Sequence, residues 1–307
     1  MISRRIIRVK VMQTLYALDS FTQPVKPGEP IRLLNKQFDQ SRQLLLYIIH
    51  FITEVARYSE TDARNRANKH LPSAADLEVN TKIAGNQLLW KILEDASYQT
   101  ALKEDLVTKY LDQELVRKVY LELVNTPEYQ AYVQVQGRDY KAEKAMLEFI
   151  YNNLLITREE FTAHLEEHFN NWDDDCEMIH QLVQQYLHKP GSFNFQVMVS
   201  PEKMEFAKSL LNAVIDKRAT TLEMIKPKLK NWDPERIATL DMILMQMGLC
   251  ELLYFETIPP KVTINEYIDL AKEYSTPQSG QFVNGILDNI HKDLVRDNKL
   301  HKVSFKK

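Results

Sequence analysis

Scarcity of glycine constrains this chain more than any other feature. It has 7 glycines in 307 residues, where average usage of ~7% would give about 21. Nucleotide-binding folds spend glycines on phosphate loops, and neither a GxGxxG nor a GxxxxGK[ST] pattern occurs here. Leu, Glu and Lys, which are abundant, lose little side-chain freedom in a helix, and few residues remain for tight left-handed turns. The expected fold class is therefore all-α. At ~150 residues per domain the length suggests about two domains.

One helix-start signal recurs, at Thr126-Pro127-Glu128, Ser200-Pro201-Glu202, Asp233-Pro234-Glu235 and Thr276-Pro277-Gln278. Each has a cap oxygen able to accept an orphan amide hydrogen bond, followed by a proline where a missing N–H costs nothing. Thr157-Arg158-Glu159-Glu160 adds a capping-box pattern, and Asp173 or Asp174 reads as another cap. Apolar residues recur at three- and four-residue spacing, as in Phe206, Leu210, Ala213 and Val214, which predicts about ten to twelve helices. Pro24, Pro27, Gly28 and Pro30 end the first helix, and Lys189-Pro190-Gly191 ends another. Phe193, Phe195, Val197 and Val199 then alternate with Asn194, Gln196 and Met198, which fits a short strand or an extended linker. In an otherwise helical chain we read a linker. The expected organisation is a leading helix over 1–20, an inserted helical segment over 31–189, a carboxy-terminal helical unit over 200–296 and a polar tail over 297–307.

With 39 basic and 42 acidic side chains, the chain is not a polycation that wraps nucleic acid by bulk charge. Cys176 and Cys250 form neither a disulfide framework nor a metal knuckle, and both read as small buried residues. The longest apolar run, Leu44 to Ile52, is too short to span a bilayer. The basic start is not followed by a leader-like apolar stretch or a small-residue cleavage site. A soluble, cytoplasmic protein is expected.

Four features bear on function. Arg4, Arg5, Arg8 and Lys10 concentrate positive charge, with no acid before Asp19. On a helix, Arg4, Arg8, Val11 and Leu15 share one stripe, so burying Leu15 would carry the arginines past the core edge as an arm suited to phosphate. From Leu240 to Tyr254 the only polar side chains are Asp241, Gln246 and Glu251, on different faces. Such a helix belongs at the centre of a bundle, where its carboxylates need backbone or cationic partners, or a partner surface. Polar residues 276–281 precede Phe282-Val283-Asn284-Gly285 at a helix amino end that favours phosphate. Gly285 costs ~1 kcal/mol against alanine and suggests close helix contact. Finally, His164-Leu165-Glu166-Glu167-His168 fits the HxxEH pattern of a zinc peptidase class, but no defined third ligand accompanies it. No catalytic site, metal or cofactor is expected.

Arg4 through Tyr16 resembles the opening of NusB-type transcription antitermination factors. Downstream, Trp232-Asp233-Pro234-Glu235-Arg236-Ile237, Pro259-Pro260-Lys261-Val262-Thr263-Ile264-Asn265-Glu266 and Phe282-Val283-Asn284-Gly285-Ile286-Leu287-Asp288 follow that family's order and spacing. The resemblance covers about 1–20 and 200–296 and says nothing of the middle. It implies a NusB-like helical bundle with an additional inserted helical domain. It also implies non-enzymatic binding of boxA-type rRNA leader RNA together with the ribosomal protein NusE, supporting processive rRNA synthesis alongside other Nus factors and RNA polymerase. Arg4, Arg5, Arg8, Tyr16, Gln278, Ser279 and Phe282 would then contact RNA, and Asp241 would face the protein partner. Glu251, Asn265, Glu266, Asn284 and Gly285 would hold the fold. Gln278 stands where an acid is common in the family, and Gln246 replaces a frequent arginine. Two other readings stand beside this one: a ribosome-biogenesis or protein-interaction scaffold without specific RNA affinity, and a helical zinc hydrolase built on His164 and His168.

Overall fold

The computed structural model describes residues 2–192, 194–229 and 237–303, and every regular element among them is helical. The Asp233-Pro234-Glu235 signal, Trp232, Phe193 and the last four residues of the polar tail lie outside the described residues. The first α-helices are α1 (Arg4–Asp19), α2 (Glu29–Ala67), α3 (Ala74–Leu77), α4 (Gln87–Glu94) and α5 (Ala96–Asp105). Next come α6 (Gln113–Leu123), α7 (Pro127–Gln134), α8 (Tyr140–Phe149), α9 (Glu159–His168) and α10 (Trp172–His188). The chain continues through α11 (Pro201–Asp216), α12 (Arg218–Ile225), α13 (Thr239–Tyr254), α14 (Pro260–Tyr274) and α15 (Ser279–Arg296). Residues 194–200 are not strand.

The chain divides into two compact units. A middle unit holds residues 39–198, and a terminal unit joins residues 2–38 to residues 199 onward.

In the terminal unit, α13 packs against α1, α11, α12, α14 and α15 and is buried on nearly every side. Its near-uniform apolarity is the reason: no face prefers water. Gly248 lets the neighbours close in, because a Cβ there would sit 2.9 Å from a Leu287 methyl and 3.2 Å from the Tyr267 ring. Gly285, expected to mark a close helix contact, has nothing within 4 Å of its would-be Cβ. The close approach belongs to Gly248 instead.

The middle unit has a core dense in aromatic side chains, including Tyr47, Phe51, Tyr98, Tyr120, Tyr151, Phe161 and Tyr186, all fully or almost fully buried. Tyrosine hydroxyls inside a core need partners. Tyr186 Oη donates to Asp95 at 3.3 Å, the same carboxylate that caps α5. Tyr47 Oη lies 2.6 Å from His164 Nε2, while the His168 ring stacks on Tyr110. The HxxEH histidines thus belong to an aromatic cluster, and no group of three metal-ligating side chains occurs among the described residues.

The helix-start signals fare unevenly. Thr126 caps α7 through the Tyr129 amide as expected. Ser200 occupies the cap position of α11 without a side-chain cap bond, and Thr157 bonds back to the Asn153 carbonyl instead of capping α9. Asp173 and Asp174 sit inside the first turn of α10, after Asn171. The last helix begins at Ser279 with Gln278 as its cap residue, because the Thr276 hydroxyl turns to the Ser279 hydroxyl at 2.9 Å. Cys250 is buried, and burial pushes its thiol up to about 12, but Cys176 is only half-buried.

Candidate nucleic-acid interface

The basic start is an ordered helix. Ser3 Oγ accepts from the Ile6 amide and caps α1, and Ile7, Val11 and Leu15 are buried along it. The four cations then part company. Arg4 and Arg5 stay at the surface, whereas Arg8 is 3% exposed and Lys10 fully buried.

Arg8 corrects the expectation of an all-exposed arm. Its guanidinium makes a two-pronged pair with Glu251, with Nε and Nη2 each donating at 2.8 Å, and reaches Glu266 with Nη1 at 3.2 Å. Glu251 is fully buried on α13, and Thr263 and Tyr267 donate to it at 2.8 and 3.1 Å. A carboxylate inside a core requires such a cation and full hydrogen bonding. Burial works against the charge on Arg8, but the bonds to Glu251 and the charges around it outweigh burial and raise its pKa. Burial, then the neighbouring Glu251, raises the Tyr267 phenol far above its ordinary value of 10. Arg8 therefore locks α1 to α13 and α14, while its guanidinium and that of Arg4 lie over the Phe206 ring.

The surface arginines have weaker partners. Arg4 pairs with Glu202 at 2.9 Å and Arg5 with Glu273 at 2.6 Å, all four side chains substantially exposed. Such pairs contribute little in water and yield readily to a phosphate. Tyr16 is 53% exposed. It lies eleven residues beyond Arg5, three helical turns, so both share a side of α1 about 16 Å apart.

The second part of the site is the amino end of α15. Gln278, Ser279, Phe282, Gly285, Ile286 and Asp241 line a cleft of about 530 Å³. Gln278 is exposed and Phe282 half-buried. Ser279 is buried, and its hydroxyl donates to Asp241 Oδ2 at 2.8 Å. Its side chain is spent on positioning the helix rather than presented to solvent. Asp241, itself 6% exposed, keeps Oδ1 without a hydrogen-bond partner among the described residues. The two parts connect through α14: Glu273, which holds Arg5, stands five residues before Gln278.

Sequence reasoning grouped these residues but missed the acids Glu202 and Glu273 that hold the arm, and the Phe206 plate beneath it. Nothing in local patterning pairs Arg4 with a residue 198 positions away. The buried acid Glu251 on an apolar helix was the one available signal that a basic residue must enter the core.

Residues 158–292 match the NusB family. The match begins well before residue 200 and does not include α1. A transcription antitermination protein NusB from Salinibacter ruber is 42% identical over 102 residues, covering 33% of this chain and 64% of the relative. The protein of that name from Methylacidiphilum infernorum is 42% identical over 89 residues, 29% of this chain and 62% of its own length. The one from Chloroherpeton thalassium is 38% identical over 106 residues, 34% of this chain and 50% of its own. The chain thus aligns with between half and somewhat under two thirds of these relatives. No solved structure matches.

Proposed function

Because the chain carries a NusB-family domain, we propose that it is a non-enzymatic, cytoplasmic adaptor of transcription antitermination. In this reading it binds boxA-type rRNA leader RNA together with the ribosomal protein NusE, and through other Nus factors joins transcribing RNA polymerase. One observation carries the reading: the Arg5–Glu273 pair ties the cationic start of α1 to the segment that opens the Phe282 cleft. Arg4 and Arg5 would exchange their exposed carboxylates for phosphates. Tyr16 and Phe282 would offer faces for unpaired bases. Gln278 supplies an exposed amide, while Arg8 and Ser279 hold the two walls in place. Asp241, in the lining of the cleft, would stand next to the protein partner. Among the described residues no helix is long and apolar enough to cross a membrane.

The test is RNA binding by the full chain, with and without NusE, on boxA-like and scrambled RNA. The reading expects tighter binding to the boxA-like sequence, strengthened by NusE. Capture of NusE with no preference between the RNAs would favour the scaffold alternative.

A further inference from the structure

The two surface arginines of α1 are held by acids in opposite electrostatic settings. Glu202, the partner of Arg4, stands in the first turn of α11, where the helix dipole favours a carboxylate with or without a cation. Glu273, the partner of Arg5, stands one residue before the end of α14, where the dipole disfavours negative charge. Glu266 and Asp269, seven and four residues earlier, share its face of the helix and add like charge. Their own cations, Arg8 at 3.2 Å and Lys272 at 3.6 Å, leave Arg5 as the cation of Glu273. Burial works against the charge on Arg5, but the bond to Glu273 and the charges of Glu273, Glu266 and Asp269 outweigh burial and raise its pKa.

We propose that Glu273 is an intramolecular competitor for RNA phosphate at Arg5, holding RNA affinity below what the cations of α1 alone would give, and that Glu202 is not. The inference rests on the reading that places RNA along this arm. Arg5 gives Glu273 one hydrogen bond, at 2.6 Å, where Arg8 gives Glu251 two. Both side chains are substantially exposed, so a phosphate can reach the pair and part it without opening the core. The phosphate then takes the guanidinium, and Glu273 is left without its cation at the unfavourable end of a helix. Arg4 leaves Glu202 at little cost, because the amino end of α11 remains beside that carboxylate.

The experiment is equilibrium binding of a boxA-like single-stranded RNA to the full chain at constant salt. Glu273→Gln, which keeps the shape and removes the charge, should tighten RNA about fivefold, the upper end of what an exposed pair contributes. Glu202→Gln should change it by less than about twofold. In the Arg5→Gln background the gain from Glu273→Gln should fall below about twofold, because the cation competed for is gone. Three results overturn the inference: unchanged affinity in Glu273→Gln, an equal gain in Glu202→Gln, or an equal gain from Glu273→Gln with and without Arg5, which is repulsion by net charge. In each of these Arg5→Gln alone still weakens RNA, so the reading beneath the inference stands. An Arg5→Gln chain that binds RNA as well as the unaltered chain removes both.

Discussion

The middle unit, residues 39–198, carries 16 lysines and arginines against 25 acidic residues, whereas the remainder of the chain carries 23 against 17. The near-neutral total therefore averages two units of opposite net charge. By net charge alone, the terminal unit favours a polyanion and the middle unit disfavours one. The interiors differ in kind as well. The terminal unit buries an ion pair, Arg8 with Glu251, at its centre. The middle unit instead sets tyrosine hydroxyls against histidines, in the buried contact of Tyr98 with His50 and the half-buried one of Tyr47 with His164. The second arrangement responds to mild acid, because burial lowers the pKa of both histidines.

The sharpest way to break this comparison is Arg8→Ala, which leaves the buried Glu251 without its cation. The terminal unit should lose about 3–5 kcal/mol in urea unfolding, while amide exchange in the middle unit stays unchanged. Equal loss of protection in both units would show that they are not energetically distinct.

Two glycines of the terminal unit, Gly248 and Gly285, give smaller and opposite effects. Gly248→Ala pushes a methyl against Leu287 and Tyr267, and should cost about 1–3 kcal/mol as an overpacked core position. Gly285→Ala meets open space, and should stabilise α15 by up to about 1 kcal/mol through helix propensity. Thermal melts of the two variants should therefore move in opposite directions.

The smallest expected effect is on pH. Burial lowers the pKa of His50 and, joined by the charge of His168, that of His164, from an ordinary value of 6.5. Between the folded and unfolded values the unfolded chain binds more protons, so stability is complete above 6.5 and falls as pH drops through the lowered folded values. Hydrogen exchange between pH 7.5 and 5.5 should loosen the middle unit first, and His164→Gln should reduce that loss.

How much of this was legible in the sequence depended on how local the cause was. The capped start at Thr126, the central position of α13 and the break at Pro24–Pro30 follow from neighbouring residues and were readable. The burial of Arg8 was not, because its partner lies 243 residues away and charge patterning counts charges without seeing the core. The same distance hid the pairing of Arg5 with Glu273. Gly285 misled because helix propensity identifies an unusual glycine but not which side of it is crowded. In the middle unit, the hydroxyl and imidazole contacts join side chains far apart in sequence, 48 residues for Tyr98 and His50 and 117 for Tyr47 and His164.

The central claim, that RNA is held by the two surface arginines of α1, is tested most directly by the salt dependence of RNA binding in the Arg4→Gln/Arg5→Gln double variant, with Arg8 left intact to keep the fold. Each lost phosphate contact on single-stranded RNA lowers the slope of log K against log salt by about 0.7. The account predicts weaker binding and a slope shallower by roughly 1.4. Unchanged affinity with an unchanged slope would contradict it.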